Sequence, residues 1–139
     1  EGARADLKGA HLRFSNLFMA RLERADLSSA DLRNANVQWA NLSGADLNGA
    51  KLGDADLFQS NFSGANLHDV SAKGASFFMA DLQGADLGGA NLRGADMKGT
   101  KLQGADLSGV DFTDAKMEGA ELNDPASEGP VQPPGEERA

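Results

Sequence analysis

The residues with potential for catalysis or metal binding are two histidines, His11 and His68, and a series of regularly spaced aspartates. The aspartates are Asp6, Asp26, Asp46, Asp86 and Asp106. Histidine and carboxylate side chains bind metals, and paired carboxylates act as general acid and base. The chain has no cysteine, which excludes a disulfide framework, a thiolate zinc site and a cysteine nucleophile. The sequence also shows no Ser-His-Asp grouping, phosphate-binding loop or calcium loop.

The structure that positions these residues follows from a sequence repeat with a period of five residues. An apolar residue recurs at every fifth position from Leu7 to Leu122, which makes 24 consecutive pentapeptides without an insertion. Two places before it stands a small residue, which is Ala in 19 of the 24 repeats. Asp or Asn lies between the two in 16 repeats, and Gly stands two places after the apolar residue in 12. The consensus is A-(D/N)-L-x-G.

A period of five is neither helical nor a plain strand period, because every fifth residue drifts roughly 140° around a helix. In an extended chain alternate residues share a face, so the Ala and the Leu of one repeat both point inward. The next Ala comes three places later, and this break in alternation requires a turn in every pentapeptide. Gly and Asp suit such turns. A chain that turns the same way every five residues winds into a solenoid.

The surface residues indicate that one coil contains 20 residues. Asp recurs at this spacing, and so do Phe18, Phe58 and Phe78. Twenty residues are four pentapeptides, so the coil is four-sided. Six coils at about 4.8 Å each make a rod of roughly 29 Å.

The tandem segments "GADL", "GANL" and "RADL" resemble the pentapeptide repeat family, over about 122 of the 139 residues. The resemblance implies an all-β fold, a right-handed quadrilateral β-helix with its 24 pentapeptides in about six four-sided coils. The repeats predict a domain over residues 3–124. Residues 125–139 hold all four prolines and are rich in Gly and Glu, which predicts a disordered or linker tail.

One face of the predicted rod carries large apolar side chains at positions that point toward solvent. Its two outward positions carry large apolar side chains in the first four coils, but Lys98-Gly99 and Glu118-Gly119 in the last two. We call these large side chains the apolar ladder: Phe18, Met19, Trp39, Phe58, Phe78 and Met79. An exposed apolar patch with a polar rim is typical of an interface, so the ladder is the candidate protein-binding face. The alternative is packing between stacked coils.

Two charged columns accompany the ladder. A basic column is predicted on the adjacent face, as a rim that either contributes to partner choice or is neutralised by nearby aspartates. Its members are Arg13, Arg33, Lys73 and Arg93. On another face the recurring aspartates would repel one another. We expect them to accept hydrogen bonds from turn N–H groups, and the alternative is an anionic recognition strip.

The repeat pattern offers few positions for a catalytic or metal-binding site. His11 and His68 fall on different faces and different coils, so they make no ligand pair. The carboxylates form a regular series on a convex rod rather than in a cleft, and a filled solenoid has no lumen for a substrate. We therefore predict that the protein is not an enzyme and has neither a metal site nor a cofactor.

Three functions remain open. The first is a non-catalytic interaction or scaffold module that binds a protein of unknown identity, or itself. Family members occur fused to other modules, including BTB-type oligomerisation domains, so the resemblance is compatible with this chain being one domain of a larger adaptor. The second, implied by the quinolone-resistance members, is an acidic DNA mimic that binds a type II topoisomerase such as DNA gyrase. The third is a structural rod that forms a homodimer through its apolar face.

Charge and hydropathy limit the partners. Residues 3–124 hold 17 acidic and 12 basic side chains, a net charge of −5, whereas duplex DNA of the same length carries roughly 17 negative charges. The whole chain has a formal charge of −8, which disfavours direct binding to nucleic acid or to an anionic membrane. No apolar run is long enough to predict a membrane span. The compartment stays open, with the cytoplasm favoured.

Overall fold

The computed structural model describes residues 4–122, which wind into a four-sided β-helix. Parallel bridges join each residue that precedes a core position to the residue 20 places later, from Asp6–Asp26 to Lys101–Glu121. These bridges define coils 1 to 6 as residues 5–24, 25–44, 45–64, 65–84, 85–104 and 105–122. Within residues 4–122 the regular structure consists of these single-residue bridges and the turns between them. The predicted coil of 20 residues is confirmed.

Every backbone N–H of a typical pentapeptide has a partner, as residues 26–30 show. Three amides bond to neighbouring coils, one closes a turn within the repeat, and one is accepted by a side chain. The five bonds are Asp26 N to Ala5 O, Leu27 N to Asp46 O, Ser28 N to Asp26 Oδ1, Ser29 N to Asn48 O and Ala30 N to Leu27 O. Because a buried unpaired amide is costly, this pairing explains how the coils stack without long strands.

The turn lies at the corner of the coil. The bond from Ala30 N to Leu27 O closes a β-turn whose two central residues are Ser28 and Ser29. The second central residue has a positive φ in every repeat from Gly9 to Gly119, as a type II turn requires. The two outward positions of each repeat, which were assigned from the sequence to a face of the rod, therefore lie along a corner edge. That assignment was wrong because the chain bends at these positions and is straight only through the three residues before them.

The Asp or Asn of each repeat supports the turn that follows. In all sixteen repeats with Asp or Asn at this position, its Oδ1 accepts the N–H two residues later, at 2.8–3.3 Å. This N–H points away from the neighbouring coils, so a short acceptor on the same repeat satisfies it. The structural role expected for the recurring aspartates is confirmed.

The core is a stack of Leu and Phe side chains beside a stack of Ala. Phe62 and Phe77 are fully buried, with ring centroids 6.1 Å apart. The hydroxyls of Ser60 and Thr100 are buried but bond to the carbonyl oxygens of Leu57 and Phe77. Each buried Leu contributes roughly 1.5–3 kcal/mol. The ends of the rod are less complete, since the central residues of coil 1 and the last two of coil 6, Met117 and Leu122, are only partly buried. The tail predicted over residues 125–139 lies outside the described residues.

Candidate functional site

The apolar ladder runs along one corner edge of the rod, the edge formed by the third turn of each coil. Five of its members, Phe18, Met19, Trp39, Phe78 and Met79, are exposed. Trp39 keeps 50% of its surface exposed and Phe78 keeps 37%. Phe58 is half-buried between its neighbours. The predicted exposure is thus confirmed for five of the six side chains, while their role in binding stays a prediction.

Contacts between coils hold the ladder side chains in place. The Trp39 and Phe58 rings meet edge to face with centroids 5.8 Å apart, and Phe58 stacks on Phe78 at 5.5 Å. Lys98 Nζ lies 5.9 Å from the centroid of the Phe78 ring and ends the aromatic stack. Packing between coils, the alternative to an interface, is therefore present. It does not cover the outer surface of the ladder.

The backbone beneath the ladder is in an unfavourable conformation for its residues. Met19, Trp39, Gln59 and Met79 have φ between 56° and 61°, the left-handed region that bulky side chains seldom occupy. In coils 5 and 6 the same position is Gly99 and Gly119. This feature was not predicted from the sequence. Its signal was the replacement of the consensus Gly by Met, Trp and Gln in four successive repeats of one edge.

The basic column lies along the preceding corner edge, and two of its four cations have a carboxylate partner nearby. Arg33 donates to both carboxylate oxygens of Asp31, at 2.8 and 2.6 Å, and this hydrogen-bonded guanidinium holds the pKa of Asp31 far below its usual range. Arg93 Nη1 lies 3.3 Å from Asp111 Oδ2. Arg13 lies 5.3 Å above the Phe14 ring. Local neutralisation, the simpler of the two interpretations, accounts for Arg33 and Arg93.

The depression beside Lys73 and Arg93 does not form an anion site. It is open to solvent, and Asp54 and Asp114 line it together with the two cations. Mixed charges in such a shallow surface offer no preference for a ligand of either sign. This corner edge therefore differs from the ladder, whose residues share one chemical character.

The aspartates on the first side of the coil are engaged with their own turns. The hydroxyl of Ser28 donates to Asp26 at 2.6 Å, and with the backbone N–H of Ser28 it lowers the pKa of that carboxyl. Ser108 acts on Asp106 in the same way and lowers its pKa. A carboxylate with these bonds is stabilised in place. The anionic recognition strip is not needed to explain why the aspartates recur.

The two histidines are far apart in the fold, as expected. His11 lies in coil 1, whereas His68 lies in coil 4, with Nε2 3.4 Å from Asp69 Oδ2 and Nδ1 3.8 Å from Asp86 Oδ1. Among residues 4–122 there is no group of three or more acidic, His or Cys side chains placed to hold a metal ion. In the same part of the chain, no helix is long and apolar enough to cross a bilayer.

Two solved structures share this architecture. HetL, a pentapeptide repeat protein involved in heterocyst differentiation regulation from the cyanobacterium Nostoc sp. strain PCC 7120, is 34% identical with a TM-score of 0.60. That alignment covers 85% of this chain and 62% of HetL, so the chain spans less than two thirds of HetL's length. Rfr23, a pentapeptide repeat protein from the cyanobacterium Cyanothece 51142, is 27% identical with a TM-score of 0.66, over 84% of this chain and 87% of that one. A search of curated proteins gave no match.

The family model for pentapeptide repeats matches residues 5–44, 40–78 and 80–119. Proteins of this family form right-handed quadrilateral β-helices, which agrees with the four-sided coil seen here and confirms the expected fold class. The unbroken register of the repeats and the match over most of the chain lead to one conclusion. The chain belongs to the pentapeptide repeat family.

Proposed function

We propose that the protein is a non-catalytic interaction module that binds another protein chain through the apolar ladder. One observation carries the proposal: coils 1, 2 and 4 expose Phe, Trp or Met along a single corner edge, with the half-buried Phe58 of coil 3 between them, and the next two coils of that edge have no large apolar side chain there. Aromatic residues and Met are the residues that protein interfaces favour. Pentapeptide repeat proteins are generally structural or interaction modules, which supports a function without catalysis.

The backbone of the ladder does not by itself single it out. Met19, Trp39 and Met79 adopt a left-handed conformation that costs roughly 1–2 kcal/mol for a residue other than Gly. Seven non-Gly residues on the other three edges, among them Phe14 and Arg24, adopt it too. Strain at this turn position is therefore general to the fold, and the exposed apolar side chains alone distinguish the ladder.

Rigid presentation is a further advantage for binding. The Trp39–Phe58 and Phe58–Phe78 contacts restrict the rings before any partner arrives. A partner that docks on the ladder then loses less side-chain entropy than it would on mobile residues. The turns beneath are held by hydrogen bonds to the coils on either side. The module thus offers a preorganised apolar strip three coil spacings long, about 14 Å between the Phe18 and Phe78 rows.

A pull-down from a lysate of the source cells tests the proposal. It compares the wild type with a variant in which Phe18, Trp39, Phe58 and Phe78 are all Ser. The matched control is Phe14→Ser, which removes an exposed aromatic residue from a different corner edge. We expect a defined protein to be retained by the wild type and by the control but lost by the ladder variant. If a topoisomerase is instead retained equally by all three, the proposal fails and the DNA-mimic alternative replaces it.

A further inference from the structure

The charges around the apolar ladder change sign along the rod. The surface around it runs from the second corner edge to the fourth, which is residues 13–24 in coil 1 and the equivalent residues of the other coils. In coils 1 and 2 this surface carries four cations and one anion, a formal charge of +3: Arg13, Arg21, Arg24, Arg33 and Glu23. In coils 3 and 4 it carries one cation and three anions, a formal charge of −2: Lys73, Asp54, Asp56 and Asp81. The ladder therefore has a positive half and a negative half.

Three arginines of the positive half have no carboxylate partner. We call Arg13, Arg21 and Arg24 the arginine group. All three are exposed, and among residues 4–122 no carboxylate lies within ion-pair distance of any of them. The fourth cation, Arg33, is already bound to Asp31. A free guanidinium presents a planar set of donors that matches a carboxylate, so the arginine group can receive acidic side chains from outside the chain.

The carboxylates around the ladder bind other groups. Glu23 accepts a hydrogen bond from the Asn41 side chain at 2.9 Å. Asp56 accepts one from the side-chain amide of Gln38, and Asp81 accepts the backbone N–H of its own turn. All of these donors are uncharged, so the bonds leave the negative charge in place. The arginine group is not neutralised, and the half of the ladder in coils 3 and 4 stays negative.

We infer that the ladder binds an apolar segment of another protein whose carboxylates are concentrated at the end that meets coils 1 and 2. The inference rests on the proposed function, because it names the chemistry of the partner on the same surface. Apolar side chains of the segment cover the rings from Phe18 to Phe78, and its acidic side chains pair with the arginine group. Arginine and aromatic residues together are the usual centres of binding energy in protein interfaces. The charge pattern also fixes the direction in which the segment lies.

Two other occupants match this surface less well. An anionic membrane is negative along its whole surface, so it would attract the arginine group but repel the aspartates beside coils 3 and 4. A second copy of this chain, docked face to face by a two-fold axis, would set Trp39 against Gln59 and Gln38 against Phe58. Each glutamine amide would then meet a ring and lose hydrogen bonds to water, which costs affinity. A segment with acidic residues at one end avoids both conflicts.

Two synthetic peptides test the charge preference. Both have one apolar half of Leu and Ala; the other half is Glu in the acidic peptide and Lys in the basic peptide, and each carries fluorescein. Fluorescence anisotropy measures their affinities for the full chain. We expect the acidic peptide to bind at least about tenfold more tightly. The net charge of −8 by itself would favour the basic peptide, so the expected preference has to come from the local charge of the arginine group.

Two triple variants locate the preference on the surface. R13Q/R21Q/R24Q removes the charge of the arginine group and should lower the affinity for the acidic peptide at least about fivefold. The matched control K51Q/K101Q/K116Q removes the same charge from exposed lysines of coils 3, 5 and 6, and should change that affinity less than about twofold. The ladder variant with Ser at positions 18, 39, 58 and 78 should also lose the acidic peptide, because the apolar contact is then absent. Circular dichroism confirms that each variant is folded.

Four outcomes overturn the inference. The first is a basic peptide that binds as tightly as the acidic one; the proposed function then still stands or falls on the pull-down, which does not depend on the charge of the partner. The second is a ladder variant that keeps the acidic peptide, because the arginine group would then act without the ladder. Binding of the wild type to phosphatidylserine vesicles that the arginine variant loses would make an anionic membrane the occupant. Self-association that the acidic peptide displaces would make the occupant a second copy.

Discussion

Phe77 and Phe78 are adjacent in the chain, but they occupy opposite environments. Phe77 is fully buried and packs with Phe62 in the core, whereas Phe78 is 37% exposed and stacks on Phe58 along the corner edge. The turn that starts at Phe77 explains the difference. Phe77 is the last inward residue of its straight segment, and Phe78 is the first residue of the corner.

The different environments of Phe77 and Phe78 predict different losses of stability when each is replaced by Ala. We expect Phe77→Ala to lower the free energy of unfolding by about 3–5 kcal/mol, because it leaves a cavity in a core that cannot collapse. Phe78→Ala should cost less, about 1–3 kcal/mol, because it removes the ring contact and only part of the burial of a core Phe. Urea denaturation of the two variants measures both quantities. Equal losses would mean that the ladder is part of the folding core.

The stability lost when a core residue is truncated should depend on the position of that residue along the rod as well as on its burial. Leu12 and Leu52 occupy the same stack, but Leu12 lies in the first coil and is partly buried, while Leu52 in coil 3 is fully buried. We expect Leu52→Ala to lower the free energy of unfolding by about 2–5 kcal/mol, and Leu12→Ala by about half as much. Denaturant titration of this matched pair provides the measurement. A larger loss at Leu12 would contradict a stability set by contacts between neighbouring coils.

The aspartates that support turns should make stability depend on acid pH. Hydrogen bonds lower the pKa of Asp26 and Asp106 in the folded protein, first from the serine hydroxyl two residues later and then from its backbone N–H. A carboxyl with a depressed folded-state pKa binds fewer protons when folded. Its contribution is therefore present above the unfolded pKa and is lost as the pH falls below about 4.

The double variant Asp26→Asn/Asp106→Asn tests this dependence. Asn keeps an oxygen that accepts the turn N–H but cannot titrate. We expect the melting temperature of the variant to fall less steeply than that of the wild type between about pH 5 and pH 2. Ser28→Ala/Ser108→Ala removes the two hydroxyl donors. In this variant too, the melting temperature should fall less steeply with pH than in the wild type. An unchanged slope in both variants would show that these bonds do not couple folding to protonation.

Much of this fold could be predicted from the sequence, because the repeat determines which residues point inward. The break in alternation identified Phe77 as core and Phe78 as surface, and the spacing of Phe18, Phe58 and Phe78 identified the coil. The corner position of the ladder could not be predicted, since it depends on which amide closes the turn. The ion pair between Arg33 and Asp31 could not be predicted either, because it depends on side-chain rotamers.

Substitution of Trp39 by Gly distinguishes a ladder retained for packing from one retained for binding. Trp39 has φ 61°, so Gly removes a backbone strain of about 1 kcal/mol. The same change removes the edge-to-face contact with Phe58, worth about 0.5–1.5 kcal/mol, and the apolar area that the half-buried ring covers. The relief of strain offsets part of this loss. We therefore expect the free energy of unfolding to fall by no more than about 2 kcal/mol, as measured by urea denaturation.

Ser29→Gly is the matched control for the backbone effect, because Ser29 has φ 59° at the same turn position of coil 2 but lies on another edge. It should stabilise the protein by about 0.5–1 kcal/mol without the loss of a ring contact. A loss above about 2 kcal/mol for Trp39→Gly, beside a gain for Ser29→Gly, would assign the ladder to packing between coils. A smaller loss, together with loss of the protein retained in the pull-down, would instead mean that Trp39 is kept for the contact it makes with a partner chain.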